Sequence, residues 1–555
     1  MNPFPPLLSS LVLAIVVSAQ DFDWTSLTAS STLEWTSCYT GLQCALLEVP
    51  LDYTFKDTRN ASIAIARVPA TVPASEYLGP ILFNPGGPGG SGVETMISSG
   101  QSFADFLGPQ FDIVGFDPRG ISFSTPAVNF FASAAQRAFW LPQDLNIRYP
   151  ALDANHDVMS AQWAQYQTVG QQAKIQDTAG ILQYITTDYV AHDMLRITQA
   201  FGYEKLQYWG VSYGTALGQT FATLFPDNVG RIVIDGVMDV EAWFSANITA
   251  SMTDDDKVLD TFFTGCFNAG PAGCAYYASS PQQIEANLNA LLTRYHEQPM
   301  PVVTNVSHGV VDYSFLRNMI LGSMFSPYAS FVNMADRLAE LEAGNATNTY
   351  VQFQIDAFEC DCESDANVAS IFEGEIATTC ADAAPVTDTI DQLRAFYENE
   401  AQLSVFADIW ALWRVWCSGY QIHRPGRFMG PAGANTSFPL LLIGNTLDPV
   451  TPHLWAEKAS TLFPGSVLLT QDSPGHTSLT AASTCTHGYM AAYFQNGTLP
   501  AAGVVCEPDI ALFPNTTASS TKTLVEVNDK LVNAINGIAQ GVRSANKGGF
   551  LHRAF

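Results

Sequence analysis

A chain of 555 residues, 47% of them hydrophobic and 14% charged, has ample apolar material for a large core, and this excludes disorder as its global state. The formal net charge of −28 excludes nucleic acid and anionic membrane surfaces as partners, since both would be repelled. The length fits either several units or one large α/β domain with an insertion.

The first segment, "MNPFPPLLSSLVLAIVVSAQ", holds an apolar run from Leu7 to Val17 that is too short to span a bilayer and ends in Val17-Ser18-Ala19. It reads as a signal peptide over residues 1–19, so a secreted, extracellular protein is expected. Ten cysteines and sequons at Asn60, Asn247, Asn305, Asn345, Asn435, Asn496 and Asn515 point the same way, towards a disulfide-bonded glycoprotein. Close spacing suggests the pairs Cys38–Cys44, Cys266–Cys274 and Cys485–Cys506, and leaves Cys360, Cys362, Cys380 and Cys417 unassigned. No metal is expected, because "CDC" at 360–362 has no histidine or C-x-x-C partner at zinc-site spacing.

From residue 45 to 240 short β-rich runs alternate with helix-like stretches. "CALLEVPLDY" and "ASIAIARV" read as opening strands; "PILFNPGG", "FDIVGFDPRG", "LQYWGVS" and "RIVIDGV" follow, each ending at or near Gly, Pro or Asp. "TDYVAHDMLRITQAFG" and "YGTALGQTFATLF" read as helices, the first closed by Gly202. Such alternation predicts a mostly parallel central sheet flanked by helices. From about 241 to 425 helical periodicity takes over, and "SFPLLLIGNTLDP" and "SVLLTQDSPGH" then return to the strand pattern. The expected organisation is an α/β core over 20–240, a helical cap inserted over 241–425 and the rest of the core over 426–555. The tail "SANKGGFLHRAF" is expected to be loosely ordered.

Ser212, in "WGVSYGTALG", follows a strand and precedes a helix, which is the setting of a strained nucleophile elbow. Serine needs a base and an orienting acid. Asp448 follows one late strand and His476 the next, giving the chain order Ser, Asp, His. His453, His487 and Asp472 are weaker competitors: each fits a helix or turn role better. The backbone N–H groups of Tyr213 and of Gly87, in "ILFNPGGPGGSG", would form the oxyanion hole. Asp117 and Arg119 in "FDPRG" read as an ion pair near the site.

Together "NPGGPGGSG", "FDPRGIS", "YWGVSYGTALG", "GNTLDPVTP" and "SPGHTS" resemble the tripeptidyl aminopeptidase-like serine peptidases, α/β-hydrolases related to the prolyl aminopeptidases, and the resemblance runs from about Cys38 to Asp509. It implies the α/β-hydrolase fold, no cofactor, Ser212, Asp448 and His476 as the triad, and Gly87 and Tyr213 as the oxyanion hole. It further implies exopeptidase action on peptides with a free N-terminus. An acidic group would then hold the substrate ammonium, and Glu359 or Asp361 in "FECDCESD" are the candidates. A carboxylesterase or lipase-like hydrolase using the same triad is the alternative.

Overall fold

The runs "PILFN" and "FDIVGF" become fully buried strands, which is how a sheet covered on both faces reads in sequence. The structure, a computed structural model, describes residues 22–140, 150–305, 307–353, 371–514 and 526–546. Its strands are β1 Thr36–Ser37, β2 Gln43–Pro50, β3 Asn60–Val68, β4 Gly79–Asn84, β5 Phe111–Phe116, β6 Leu206–Val211, β7 Val229–Asp235, β8 Met300–Val303, β9 His308–Val311, β10 Leu441–Leu447, β11 Val467–Pro474 and β12 Val505–Cys506. One ten-stranded sheet runs in the order β1-β2-β3-β5-β4-β6-β7-β10-β11-β12. From β5 to β12 every neighbouring pair is parallel, while β1, β2 and β3 form an antiparallel edge. Hairpin β8–β9 stands apart from it.

Side chains alternate across this sheet. Ile81 and Phe83 of β4 join Trp209 and Val211 on one face, under the helices Gly92–Leu107 and Glu526–Ala545. Leu82 joins Tyr208 and Val114 on the other, under Thr187–Ala200 and Tyr213–Leu224. Gly202 follows the former helix at φ 85°, the left-handed turn that ends it.

Between β7 and β10 the described chain is mostly helical, as its periodicity predicts, and a third apolar cluster fills this cap. Residues assigned by sequence to the core also enter it: the helix Val158–Gln176, between β5 and β6, packs on Leu412–Gly419. The reason is local. A Cβ on Gly170 would lie 1.9 Å from the Gly419 carbonyl oxygen, and one on Gly419 would lie 2.0 Å from that of Tyr166. Only two glycines allow the backbones this close.

Disulfides join Cys38–Cys44, Cys266–Cys274 and Cys485–Cys506, and a fourth, Cys380–Cys417, links two cap helices. Cys360 and Cys362 lie outside the described residues, as do residues 1–21 with the expected signal peptide. Six of the sequon asparagines are exposed, and Asn515 lies outside the described residues. No described helix is long and apolar enough to cross a membrane. The expected loose tail is corrected at its start, for Ala545 and Asn546 are fully buried and Asn546 donates to the Pro85 carbonyl.

Candidate active site

Strand β6 delivers Ser212 at the C-terminal edge of the sheet, and the backbone there turns sharply. Ser212 has φ 57° and ψ −125°, a conformation costing a non-glycine residue about 1–3 kcal/mol. Its amide is held by the Asp235 carbonyl at 3.0 Å, and its carbonyl accepts from Thr215 Oγ1 at 2.6 Å. The glycines around it follow from crowding. A Cβ on Gly210 would lie 2.3 Å from the Gly214 carbonyl oxygen, and one on Gly86 would lie 2.6 Å from that of Val211 and 2.9 Å from Ser212 Cβ.

The β4 loop thus closes directly on the elbow. Gly86 and Gly87 have φ 82° and 108°, which glycine alone adopts freely, and a Gly86 Cβ would lie 3.3 Å from Tyr213 N. Tyr213 is the first residue of its helix, so its N–H has no intrahelical acceptor. The loop is anchored by Asp117, which accepts from Ser91 Oγ, Val93 N and Phe123 N. The expected Asp117–Arg119 pair does not form. Arg119 instead meets Asp193 at 2.7 Å, fully buried, because its side chain runs to the opposite side of the loop and donates to the Pro50 and Leu51 carbonyls.

Asp448 and His476 meet where β10 and β11 end. His476 Nδ1 lies 2.9 Å and 3.1 Å from the two Asp448 oxygens. Asp448 also accepts from the amides of Val450, Thr451 and Thr477 and from Thr451 Oγ1, so both oxygens are fully engaged. Asn445 fixes the histidine loop by donating to the carbonyls of Gly475 and Thr477, both at 2.7 Å. Phe325 of the cap packs edge-on against the imidazole, and its carbonyl accepts from the His476 amide.

Ser212 Oγ and His476 Nε2 are both buried, both lack a hydrogen-bond partner, and both line one pocket of about 30 Å³. A buried hydroxyl beside a buried imidazole nitrogen, neither satisfied by the fold, is chemistry awaiting a third party. The competitors are engaged elsewhere: His453 contacts Thr470, His487 is buried in the helix Thr484–Asn496, and exposed Asp472 accepts from Thr446. Glu359 and Asp361 lie outside the described residues.

Sequence reasoning missed two walls of this pocket. One is the cap turn at Phe325 and Ser326; the other is the helix Glu526–Ala545, through Ala539, Val542 and Arg543. The spacing Gly537-x-x-x-Gly541 was the available signal for close packing of that helix. The residue after the elbow is also tied to the cap. Tyr213 OH meets Thr187 Oγ1 at 2.5 Å, and Thr187 donates to buried Asp382, which also accepts from Trp243.

Burial pushes several such carboxyls up: Asp117 and Asp382 to about 7, Asp235 to about 6 and Glu400 to about 7. A carboxyl that holds its proton more tightly when folded contributes fully below the unfolded value near 4. That contribution is lost as pH rises through the folded value, here between about pH 4 and 7. His487, pulled down to about 4 by burial, acts oppositely as pH falls from about 6.5, as do His192 and His423, which burial also lowers, but the four raised carboxyls outnumber them. The thermal midpoint is therefore expected to be about 5 °C higher at pH 5 than at pH 8. A calorimetric midpoint that rises over that interval would contradict these burials.

The sequence matches the family description "alpha/beta hydrolase fold" over residues 79–312 and "TAP-like protein" over 403–506. Ser212 falls in the first segment, and Asp448 and His476 fall in the second. Among curated relatives, serine protease Hip1 of Mycobacterium tuberculosis is 29% identical, covering 85% of this chain and 91% of its own. Tripeptidyl aminopeptidase of Streptomyces coelicolor is 26% identical, covering 86% and 87%, and carboxylesterase B of Mycobacterium tuberculosis 27%, covering 84% and 86%. The chain has the α/β-hydrolase fold, and its C-terminal segment is similar to the TAP-like proteins.

Proposed function

We propose that this hydrolase is a serine peptidase of the aminopeptidase or tripeptidyl aminopeptidase type, acting outside the cell on peptides with a free N-terminus. The observation behind the reading is the His476 imidazole fixed on Asp448, with its far nitrogen and Ser212 Oγ both unsatisfied at one pocket. In the proposed cycle Ser212 Oγ attacks the scissile carbonyl and gives its proton to His476 Nε2. The oxyanion is received by the N–H groups of Tyr213 and Gly87. His476 then protonates the leaving amine, and water releases the acyl group by the same route in reverse, with Asp448 holding the imidazole tautomer throughout. No step calls for a cofactor. Relatives named as peptidases support peptide substrates, while the disulfides and the exposed sequons support an oxidising compartment.

The carboxylesterase reading shares every catalytic group, so the substrate must decide between them. Unblocked tripeptide anilides, their N-acetyl forms and short acyl esters should be compared by kcat/KM. The unblocked anilide is expected to exceed the acetylated one by about tenfold or more, the scale of one charged contact. Preference for the acetylated anilide or the ester would overturn the exopeptidase reading.

A further inference from the structure

The pocket that holds Ser212 and His476 has one cation in its wall, Arg543, on the helix Glu526–Ala545. The remaining lining is apolar or hydroxylic and contains no Asp or Glu. Four other arginines of the fold form ion pairs: Arg119 meets Asp193, Arg317 meets Asp408, Arg414 meets Asp388 and Arg424 meets Asp188. Arg543 forms no ion pair and donates no side-chain hydrogen bond among the described residues, in a chain with 52 acidic side chains. Burial alone pulls its guanidinium below arginine's usual value, with no neighbouring carboxylate to offset the loss of water.

A half-buried cation without a partner is costly unless something else supplies the anion. Nor is the helix that presents it loosely placed. A Cβ on Gly541 would lie 2.1 Å from Ser99 Oγ and one on Gly537 2.2 Å from Ser102 Oγ, so the helix is seated backbone-close on Gly92–Leu107. Asn546, just beyond, is fixed to the Pro85 carbonyl in the loop proposed for the oxyanion hole.

We propose that Arg543 is a specificity-determining residue that receives a carboxylate of the substrate through its planar donor fork. The carboxylate would come from the peptide's own C-terminus, which would favour short peptides, or from an acidic side chain near the scissile bond. This rests on the reading that Ser212 is the nucleophile. The test uses one peptide series in wild-type enzyme, with C-terminal acid against C-terminal amide and Glu against Gln beside the scissile bond, followed by the Arg543→Gln and Arg543→Lys variants. Wild type is expected to prefer a carboxylate member over its neutral counterpart by about tenfold or more in kcat/KM. Arg543→Gln should abolish that ratio, and Arg543→Lys should keep part of it. Preference confined to the C-terminal acid identifies the peptide end; preference confined to Glu identifies the side chain. A wild-type enzyme indifferent to both exchanges, or a ratio unchanged in Arg543→Gln, overturns the proposal. Labelling by a neutral fluorophosphonate separates the two levels. A wild type labelled at Ser212 but blind to carboxylates sinks the Arg543 assignment alone, and one that fails to label sinks the nucleophile with it.

Discussion

Ser212→Ala is expected to lower turnover by about 10⁴- to 10⁶-fold while leaving the fold intact. The separation of the two effects follows from the geometry. The hydroxyl makes no hydrogen bond in the resting enzyme, so its removal leaves no partner stranded. Alanine retains the Cβ that the elbow already accommodates at φ 57°, and the backbone bonds to Asp235 and Thr215 do not involve the side chain. Turnover by titrated enzyme and a thermal melt would check both halves. A variant that retained activity within tenfold of wild type would place the nucleophile elsewhere, and one that failed to fold would show that the hydroxyl has a structural partner.

Asp448→Asn is expected to cost about 10⁴-fold in kcat, despite being nearly isosteric. A carboxylate accepts from every side; a carboxamide does not. One Asp448 oxygen receives the amides of Val450 and Thr451, and the other receives Thr477 N and Thr451 Oγ1, with His476 Nδ1 close to both. Whichever way the amide is turned, its NH₂ faces an N–H donor. That NH₂ also faces His476 Nδ1 and favours a bare Nδ1, which puts the histidine proton on Nε2, the nitrogen that must accept from Ser212. Asp472→Asn, at an exposed residue bonded to Thr446, should stay within about threefold of wild type. Equal losses in the two variants would remove Asp448 from the mechanism.

These residues were legible because their chemistry is written locally: a serine between glycines after an apolar run, then an aspartate and a histidine closing successive strands. The Gly-rich run at 84–92 was legible for the same reason. What escaped was set by contacts across long stretches of chain. Gly170 sits mid-helix, where propensity alone would penalise it, and only the Gly419 backbone explains it. Cys380 and Cys417 are separated by 37 positions with no spacing rule to join them. Arg543 belongs to no motif in the sequence, and only the placement of its helix brings it to the pocket of Ser212. The Asp117–Arg119 expectation failed because adjacency in sequence fixed neither side chain's direction.

The seating of the helix Glu526–Ala545 against Gly92–Leu107 has a consequence in time. Synthesis is vectorial, and this helix follows every member of the proposed triad in the chain. A growing chain that has reached His476 already encodes all the reactive groups, yet its pocket still lacks the wall bearing Arg543. The proposed selectivity would thus be acquired only after the proposed triad has been made, through the close engagement of two glycines with two serines.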